Sequence, residues 1–328
     1  MNIEKNYAEI FEEMVQGTQD YILGNGLRAM VLGISGGIDS TVVAAICHEV
    51  SKRTNIPLIG RSLPTKYNKE GETTTADLVG NAFCNDYKVF SINQIYHNYL
   101  TEIILKESGE INYDIDYDGN ITHVQDDFLS PIAKGNIQAR LRMIYLYNLA
   151  SIHGGLVMDT DNLTENNLGY FTIHGDVGDF NPIGSLWKTE VFELAEWLIS
   201  YYQTNAIKTM EKSGLVDYSE WEEAVNVDSV IYAIEESLKL KPTAGLGITN
   251  NDLEEIGAES YDQVDAVLKN ILSWKCRESM FAWKEREHPL EDYLKEHRIK
   301  DIPYEIIEKV ATRHFRSEFK RKQLPIKL

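Results

Sequence analysis

The stretch "VLGISGGIDSTVVAAI", residues 31–46, runs from an apolar segment through a turn of small and polar residues into a second apolar segment. A chain that only had to pass from a strand to a helix would not need Ser35, Gly36, Gly37, Asp39 and Ser40 together. Gly36 and Gly37 permit a tight turn and let a ligand approach the backbone closely. A helix starting near Asp39 or Ser40 adds exposed N–H groups and the positive end of its dipole, which together form an anion cradle. Ser35 and Ser40 contribute hydroxyl donors. Asp39 is the odd member, because a carboxylate repels a phosphate unless a cation lies between them, and a Mg²⁺ ion resolves that conflict. The plainer reading is a Gly-Gly loop with Asp39 or Ser40 as helix N-cap. It leaves the full "SGGIDS" directly after a strand unexplained. The GK[ST] ending of a Walker loop is absent, and the glycine spacing is not GxGxxG.

Outward from this turn the chain alternates. "LRAMVLGI" (27–34), "PLIGRS" (57–62), "YKVFSI" (87–92) and "GGLVMDT" (154–160) read as strands, separated by helical patterns at 40–53, 72–84 and 132–152. Strand, helix, strand with short connections predicts right-handed βαβ units: an α/β fold with a doubly wound parallel sheet. Ligands of such sheets gather at the carboxyl ends of the strands, where the "SGGIDS" turn stands. Before the first strand, Tyr7, Ile10, Phe11 and Met14 mark an amphipathic helix. The organisation expected is one domain over 1–328, with insertions at 106–127 and 201–240 and a helical C-terminal extension at 271–328.

Composition narrows the classes. Of 328 residues, 43% are hydrophobic and 25% charged, which describes a globular chain. The net charge of -19 is a poor footprint for nucleic-acid binding, although a few local cations suffice for a small phosphorylated ligand. No apolar run approaches the roughly 18 residues that span a bilayer, and the start lacks a secretory pattern, so a cytoplasmic location without membrane attachment is expected. Cys47, Cys84 and Cys276 are scattered, without a CxxC pair, against a disulfide framework or structural zinc.

The densest stretch is "DTDNLTENNLGYFTIHGDVGDFNPIGSLWKTEV" (159–191), rich in glycine and acid between a strand and a helix. Such long connections are more often functional than structural. Glu165 in it suits a helix-start carboxylate, and only its position relative to Asp39 settles whether it does more. Thr160 and Thr243 could equally cap turns. Lys188, at a helix start, is disfavoured by the dipole unless an anion lies nearby.

"SGGIDS" resembles the pyrophosphate-binding loop of the ATP pyrophosphatase superfamily, whose members cleave ATP between the α- and β-phosphates. With "GNIQARLRM" (135–143), "DTDNLTE" (159–165), "GYFT" (169–172), "GD", "DFNP", a lysine before the next helix and "KPTAGL" (241–246), the chain resembles the ammonia-dependent NAD synthetases. The resemblance implies an adenine nucleotide alpha hydrolase-like, Rossmann-like fold. It implies that Gly33, Ser35, Gly36, Gly37, Asp39, Ser40, Thr160, Lys188 and Thr243 contact ATP, and that Asp39 and Glu165 hold Mg²⁺. Asp39 and Lys188 would carry the catalytic work. Arg140, Asp179 and Lys320 would bind deamido-NAD, across the interface of a homodimer. The implied reaction adenylates the deamido-NAD carboxylate, releases pyrophosphate, and lets ammonia displace AMP. No region resembles a glutamine-hydrolysing unit, so free ammonia is the expected donor. Two positions depart from the pattern: Ile173 stands where lysine is common, and Phe319 where histidine precedes Lys320. The "GDVGD" segment is also a residue short. A related synthetase with another acceptor, and a silent nucleotide sensor, are the competing readings; retention of Asp39, Glu165 and Lys188 counts against the sensor.

Overall fold

The computed structural model describes residues 5–68, 70–104, 113–119, 121–124, 129–213, 222–241, 252–277, 288–322 and 326–327. Thr243 lies outside the described residues, as does most of "KPTAGL".

Four strands form a parallel sheet: β1 (Met30–Gly33), β2 (Leu58–Ser62), β3 (Asp86–Val89) and, after the short antiparallel pair β4 (Tyr113–Ile115) and β5 (Ile121–Val124), β6 (Leu156–Val157). Their order is β3-β2-β1-β6, with Met30 opposite both Leu58 and Leu156. Strands β1 and β6 are apolar and largely buried because both faces are covered, whereas the edge strand β3 carries Asp86 and Lys88 and is partly exposed. Met30, Leu32 and Leu58 point into one core, which holds helices α1 (Tyr7–Gly24), α2 (Ile38–Thr54) and α3 (Glu70–Phe83). Ala29, Val31 and Ile59 point into the other, against Met143, Leu146 and Ala150 of α5 (Pro131–His153), beside which the short α4 (Asn93–Tyr99) packs. The sheet is therefore doubly wound. Between β1 and β6 the order reverses, and the crevice of such a fold opens there.

A bridge from Met158 to Phe180 carries the sheet on to β7 (Phe180–Asn181), which pairs in parallel with β8 (Ile326–Lys327) near the chain end. Two long helices, α7 (Lys188–Ser213) and α8 (Glu222–Lys239), pack on the first core, so the stretch read as an insertion at 201–240 is in contact with the sheet's own helices α2 and α3. A second hydrophobic core gathers Val264, Leu268 and Ile271 of α10 (Tyr261–Arg277) with Ile307 and Val310 of α12 (Tyr304–Arg316). It also takes in Ile256 of α9 (Asp252–Ile256), Tyr293 of α11 (Pro289–Glu296), and Leu168 and Trp187 from within the dense 159–191 stretch. The C-terminal helices thus pack against the segment that leads into α7. No helix among the described residues is long and apolar enough to cross a membrane.

Candidate functional site

The turn 34–37 leaves the carboxyl end of β1 and delivers α2. Gly36 has φ +82°, and a Cβ there would stand 2.6 Å from the Glu72 carbonyl oxygen and 2.7 Å from the Ala76 nitrogen of α3. Only glycine fits, on both backbone and space grounds. Ser35 Oγ lies 3.0 Å from Ser40 Oγ and accepts from the Gly37 N–H at 3.2 Å, while Ser40 Oγ donates to the Gly37 carbonyl at 2.9 Å. Gly37 is the N-cap, and no side chain caps the helix there. The first-turn N–H groups of α2 are left for an external acceptor, as an anion site requires.

Across the crevice, Asn162 caps the short helix α6 (Leu163–Leu168) in a complete capping box with Glu165. The Glu165 N–H donates to Asn162 Oδ1 at 3.0 Å, and Glu165 Oε2 accepts from the Asn162 N–H at 3.2 Å. The helix-start reading of Glu165 therefore describes one of its oxygens, and the other turns toward Lys188. That other oxygen, Oε1, accepts from Lys188 Nζ at 3.0 Å, and Asp39 Oδ2 accepts from the same ammonium at 2.5 Å. Lys188 is 2% exposed, at the first position of α7. A lysine buried at a helix N-terminus is disfavoured twice, by desolvation and by the dipole. Asp39 and Glu165 offset both, and together they hold its ammonium well above the usual lysine range against the opposing effect of burial. Burial and the Asp39 charge push Glu165 up to about 7, although Lys188 works the other way.

Asp39 and Glu165 therefore already converge on one cation, the ammonium. An all-oxygen carboxylate pair is the donor chemistry of a hard divalent ion, and these two residues fit Mg²⁺.

The start of α7 is fixed by a residue that sequence reading missed. Asp265, on α10, accepts from Thr164 Oγ1 at 2.5 Å, and from the Thr189 N–H and hydroxyl at 3.1 and 2.9 Å. Thr164 Oγ1 in turn accepts from the Lys188 N–H at 2.8 Å. The C-terminal module thereby holds Thr164 of α6 and the first residues of α7, Lys188 among them.

These groups open onto a cavity of about 810 Å³, lined by Gly33, Ser35, Asp39, Ser40, Thr160, Glu165 and Lys320 among the expected residues. Lys188 closes it from behind the two carboxylates. Arg142 and Arg313 also line it, and neither was singled out from sequence. Arg142 donates to the Leu63 carbonyl at 3.0 Å, and burial lowers it to about 10. The far wall is held by the chain's C-terminal part. Lys320 Nζ donates to the carbonyls of Gly169 and Phe171 at 2.8 and 2.5 Å, and Arg321 donates to that of Asn167 at 2.9 Å. The Asn167 carbonyl also accepts from His314 Nδ1 at 3.1 Å, so His314 Nε2 is left to accept from Lys275 at 2.8 Å. Burial, with Lys275 and Arg321 adjacent, lowers His314 to about 2 and keeps it neutral.

Arg140 and Asp179 are not brought to this cavity. Arg140 is exposed on α5, where its Nε donates to the Ile173 carbonyl at 3.3 Å. Asp179 is exposed as well, its Oδ2 accepting from the Val157 N–H of β6 at 2.9 Å. Ile173, His174 and Phe319 are likewise absent from the described lining. His174 is held at φ +60° and Phe319 is 59% exposed. Among the described residues, Gly33, Ser35, Asp39, Ser40, Thr160 and Glu165 share one cavity with Lys188 behind them, whereas of Arg140, Asp179 and Lys320 only Lys320 joins them.

Comparison with known proteins places the chain in a family. Residues 10–324 match the model of the NAD synthase family. The chain is 32% identical over 257 residues to the NH(3)-dependent NAD(+) synthetase of Methanococcoides burtonii, covering 78% of this chain and 76% of that one. It is 32% identical over 194 residues to the glutamine-dependent NAD(+) synthetase of Aquifex aeolicus, where it spans 31% of that longer relative. Among solved structures, the NMN synthetase of Francisella tularensis superposes with a TM-score of 0.63 over 97% of both chains at 24% identity, a likeness of fold.

Proposed function

The chain belongs to the NAD synthase family, and we propose on that premise that it amidates deamido-NAD to NAD, using ATP and ammonia. The observation that carries the reading is the convergence of Asp39, Glu165 and Lys188 beside a turn stripped of side chains, at the switch point of the sheet.

A carboxylate does not react with ammonia at neutral pH, because its oxygen is a poor leaving group. Attack by that carboxylate on the α-phosphorus of ATP forms an acyl adenylate and releases pyrophosphate; ammonia then displaces AMP. Such chemistry asks the protein for positioning and charge neutralisation, not for a nucleophilic side chain. The turn at Gly36 and Gly37 presents N–H donors to the phosphates, and Ser35 and Ser40 add hydroxyls. Asp39 and Glu165 would hold Mg²⁺, which would supply charge neutralisation for the phosphates when bound. Lys188 exchanges a carboxylate partner for a phosphate oxygen. Thr160 faces the nucleotide from the cavity wall, and Lys320 closes the acceptor end.

The acceptor site is completed by a second copy of the chain. Arg140 lies on the same exposed face of α5 as Ile144 and Tyr147, 66% and 40% exposed, and Asp179 stands nearby through the Tyr147 hydroxyl's approach to Val177 at 3.5 Å. Apolar side chains left outward along a helix suit a homodimer contact. A partner seated there would bring Arg140 and Asp179 to the interface. The protein so assembled works on soluble metabolites in the cytoplasm.

A second reading follows from the same placement. With Arg140 and Asp179 outside the cavity, and only Lys320 of the expected acceptor residues lining it, the pocket suits an acceptor smaller than a dinucleotide. The reaction would then be the same amidation on the nicotinate mononucleotide.

The test is acceptor dependence. Purified protein with ATP, Mg²⁺ and ammonium is supplied with deamido-NAD or with nicotinate mononucleotide, and AMP and amide product are measured. NAD with stoichiometric AMP and pyrophosphate is expected. AMP formed only with the mononucleotide moves the assignment to the second reading, and nucleotide binding without cleavage sinks both.

A further inference from the structure

We propose that Asn162 is a positioning residue that locks Asp39 and Glu165 into one cation-binding geometry, beyond its role as a helix cap. The proposal rests on the reading of those two carboxylates as the metal ligands. Asp39 comes from the first turn of α2, and Glu165 from the first turn of α6. Asn162 is fully buried and touches both. Its Nδ2 donates to Asp39 Oδ1 at 2.8 Å, its Oδ1 accepts from the Glu165 N–H at 3.0 Å, and its own N–H donates to Glu165 Oε2 at 3.2 Å.

The orientation of this amide is forced. The Glu165 N–H can only donate and the Asp39 carboxylate can only accept, so Oδ1 must face the helix and Nδ2 must face Asp39. One oxygen of each carboxylate is thereby occupied: Asp39 Oδ1 by the side chain, Glu165 Oε2 by the main chain. The oxygens left over, Asp39 Oδ2 and Glu165 Oε1, are the two that meet at Lys188 Nζ. A serine or aspartate could cap α6 equally well. Only a residue with a donor and an acceptor on one rigid plane can cap the helix and restrain Asp39 at the same time. Groups that orient metal ligands in this way typically account for about 10- to 100-fold in metal affinity.

The two roles separate experimentally. Asn162→Ser and Asn162→Thr retain a capping hydroxyl but are too short to reach Asp39, whereas Asn162→Ala loses both functions. Mn²⁺ is titrated into each protein in the presence of a non-hydrolysable ATP analogue, with free Mn²⁺ followed by its EPR signal. Thermal melting in EDTA, and analogue binding in EDTA, are measured alongside. The serine and threonine variants should melt close to the wild type, bind the analogue in EDTA as the wild type does, and hold Mn²⁺ about 10- to 100-fold more weakly. The alanine variant should lose melting temperature as well. Wild-type Mn²⁺ affinity in both capping variants would overturn the proposal and leave Asn162 a helix cap. A parallel fall in metal-free analogue binding would also overturn it, because the change would then be a general loosening of the site. If the wild type itself fails to bind Mn²⁺ with the analogue present, the metal-ligand reading falls and this proposal with it.

Discussion

Replacing Lys188 by methionine removes one charge from a group of three that are largely withdrawn from water, at nearly constant volume. Lys188 Nζ lies 2.5 Å from Asp39 and 3.0 Å from Glu165, whose side chains are 16% and 19% exposed. At an effective dielectric near 20, each such pair is worth on the order of 6 kcal/mol before desolvation is set against it. Removing one partner of a buried ion pair typically costs about 3–5 kcal/mol, because the remaining charge is left uncompensated. Here two carboxylates are left facing each other, and protonation of one is the available relief. Glu165 already stands at about 7, and losing Lys188 removes an influence that holds it down, so the variant's value is higher still. The folded variant then keeps a proton that the unfolded chain gives up near pH 4.5, and stability falls as pH rises through the raised value. The wild type stops falling near pH 7 and the variant continues, so the gap between them widens above pH 7. Urea denaturation in EDTA at pH 6 and pH 8.5 measures it: a deficit of about 3–5 kcal/mol at pH 8.5, and a smaller one at pH 6, is expected. A variant as stable as the wild type at pH 8.5, or a deficit that grows toward acid, would refute the reasoning.

Gly36→Ala forces a side chain into a φ of +82° and within 2.6 Å of the Glu72 carbonyl oxygen, so about 1–3 kcal/mol of melting stability should be lost together with nucleotide binding. Wild-type melting would show that the turn can shift without strain. Lys320→Ala strips the donor from the Gly169 and Phe171 carbonyls; discounted for partial exposure, about 1–2 kcal/mol is expected. In steady-state kinetics its KM for the acceptor should rise more than its KM for ATP, and an equal rise in both would place Lys320 elsewhere in the reaction. Ile144→Asp puts a charge on the exposed face of α5 and should shift sedimentation from dimer to monomer with melting little changed. An unaltered dimer would move the interface to another face.

The strands and the first turn were legible because their information is local. Apolar runs bounded by turn residues mark β1, β2 and β6, and the observed bounds, Met30–Gly33 within 27–34 and Leu58–Ser62 within 57–62, differ only at the ends where pairing partners run out. β3 runs Asp86–Val89 against the 87–92 read from sequence: it starts one residue earlier and ends three earlier, because Phe90 and Ile92 continue the apolar pattern past the last pairing, at Val89. The "NLTE" run at 162–165 carried a visible capping-box signature, yet the same four residues could not reveal that Asn162 also reaches α2.

The sequence by itself determined the parallel α/β frame, the side-chain-free turn and the kinds of group the site would hold. These follow from periodicity, glycine placement and the chemistry of neighbouring residues. Only the tertiary structure decided that Asp39, Asn162, Glu165 and Lys188 meet at one point, that Asp265 sets the start of α7, and that Arg140 and Asp179 face outward. The reason is physical. A carboxylate's neighbours across the crevice are fixed by strand order and helix packing more than a hundred residues away, and no short window of sequence contains them.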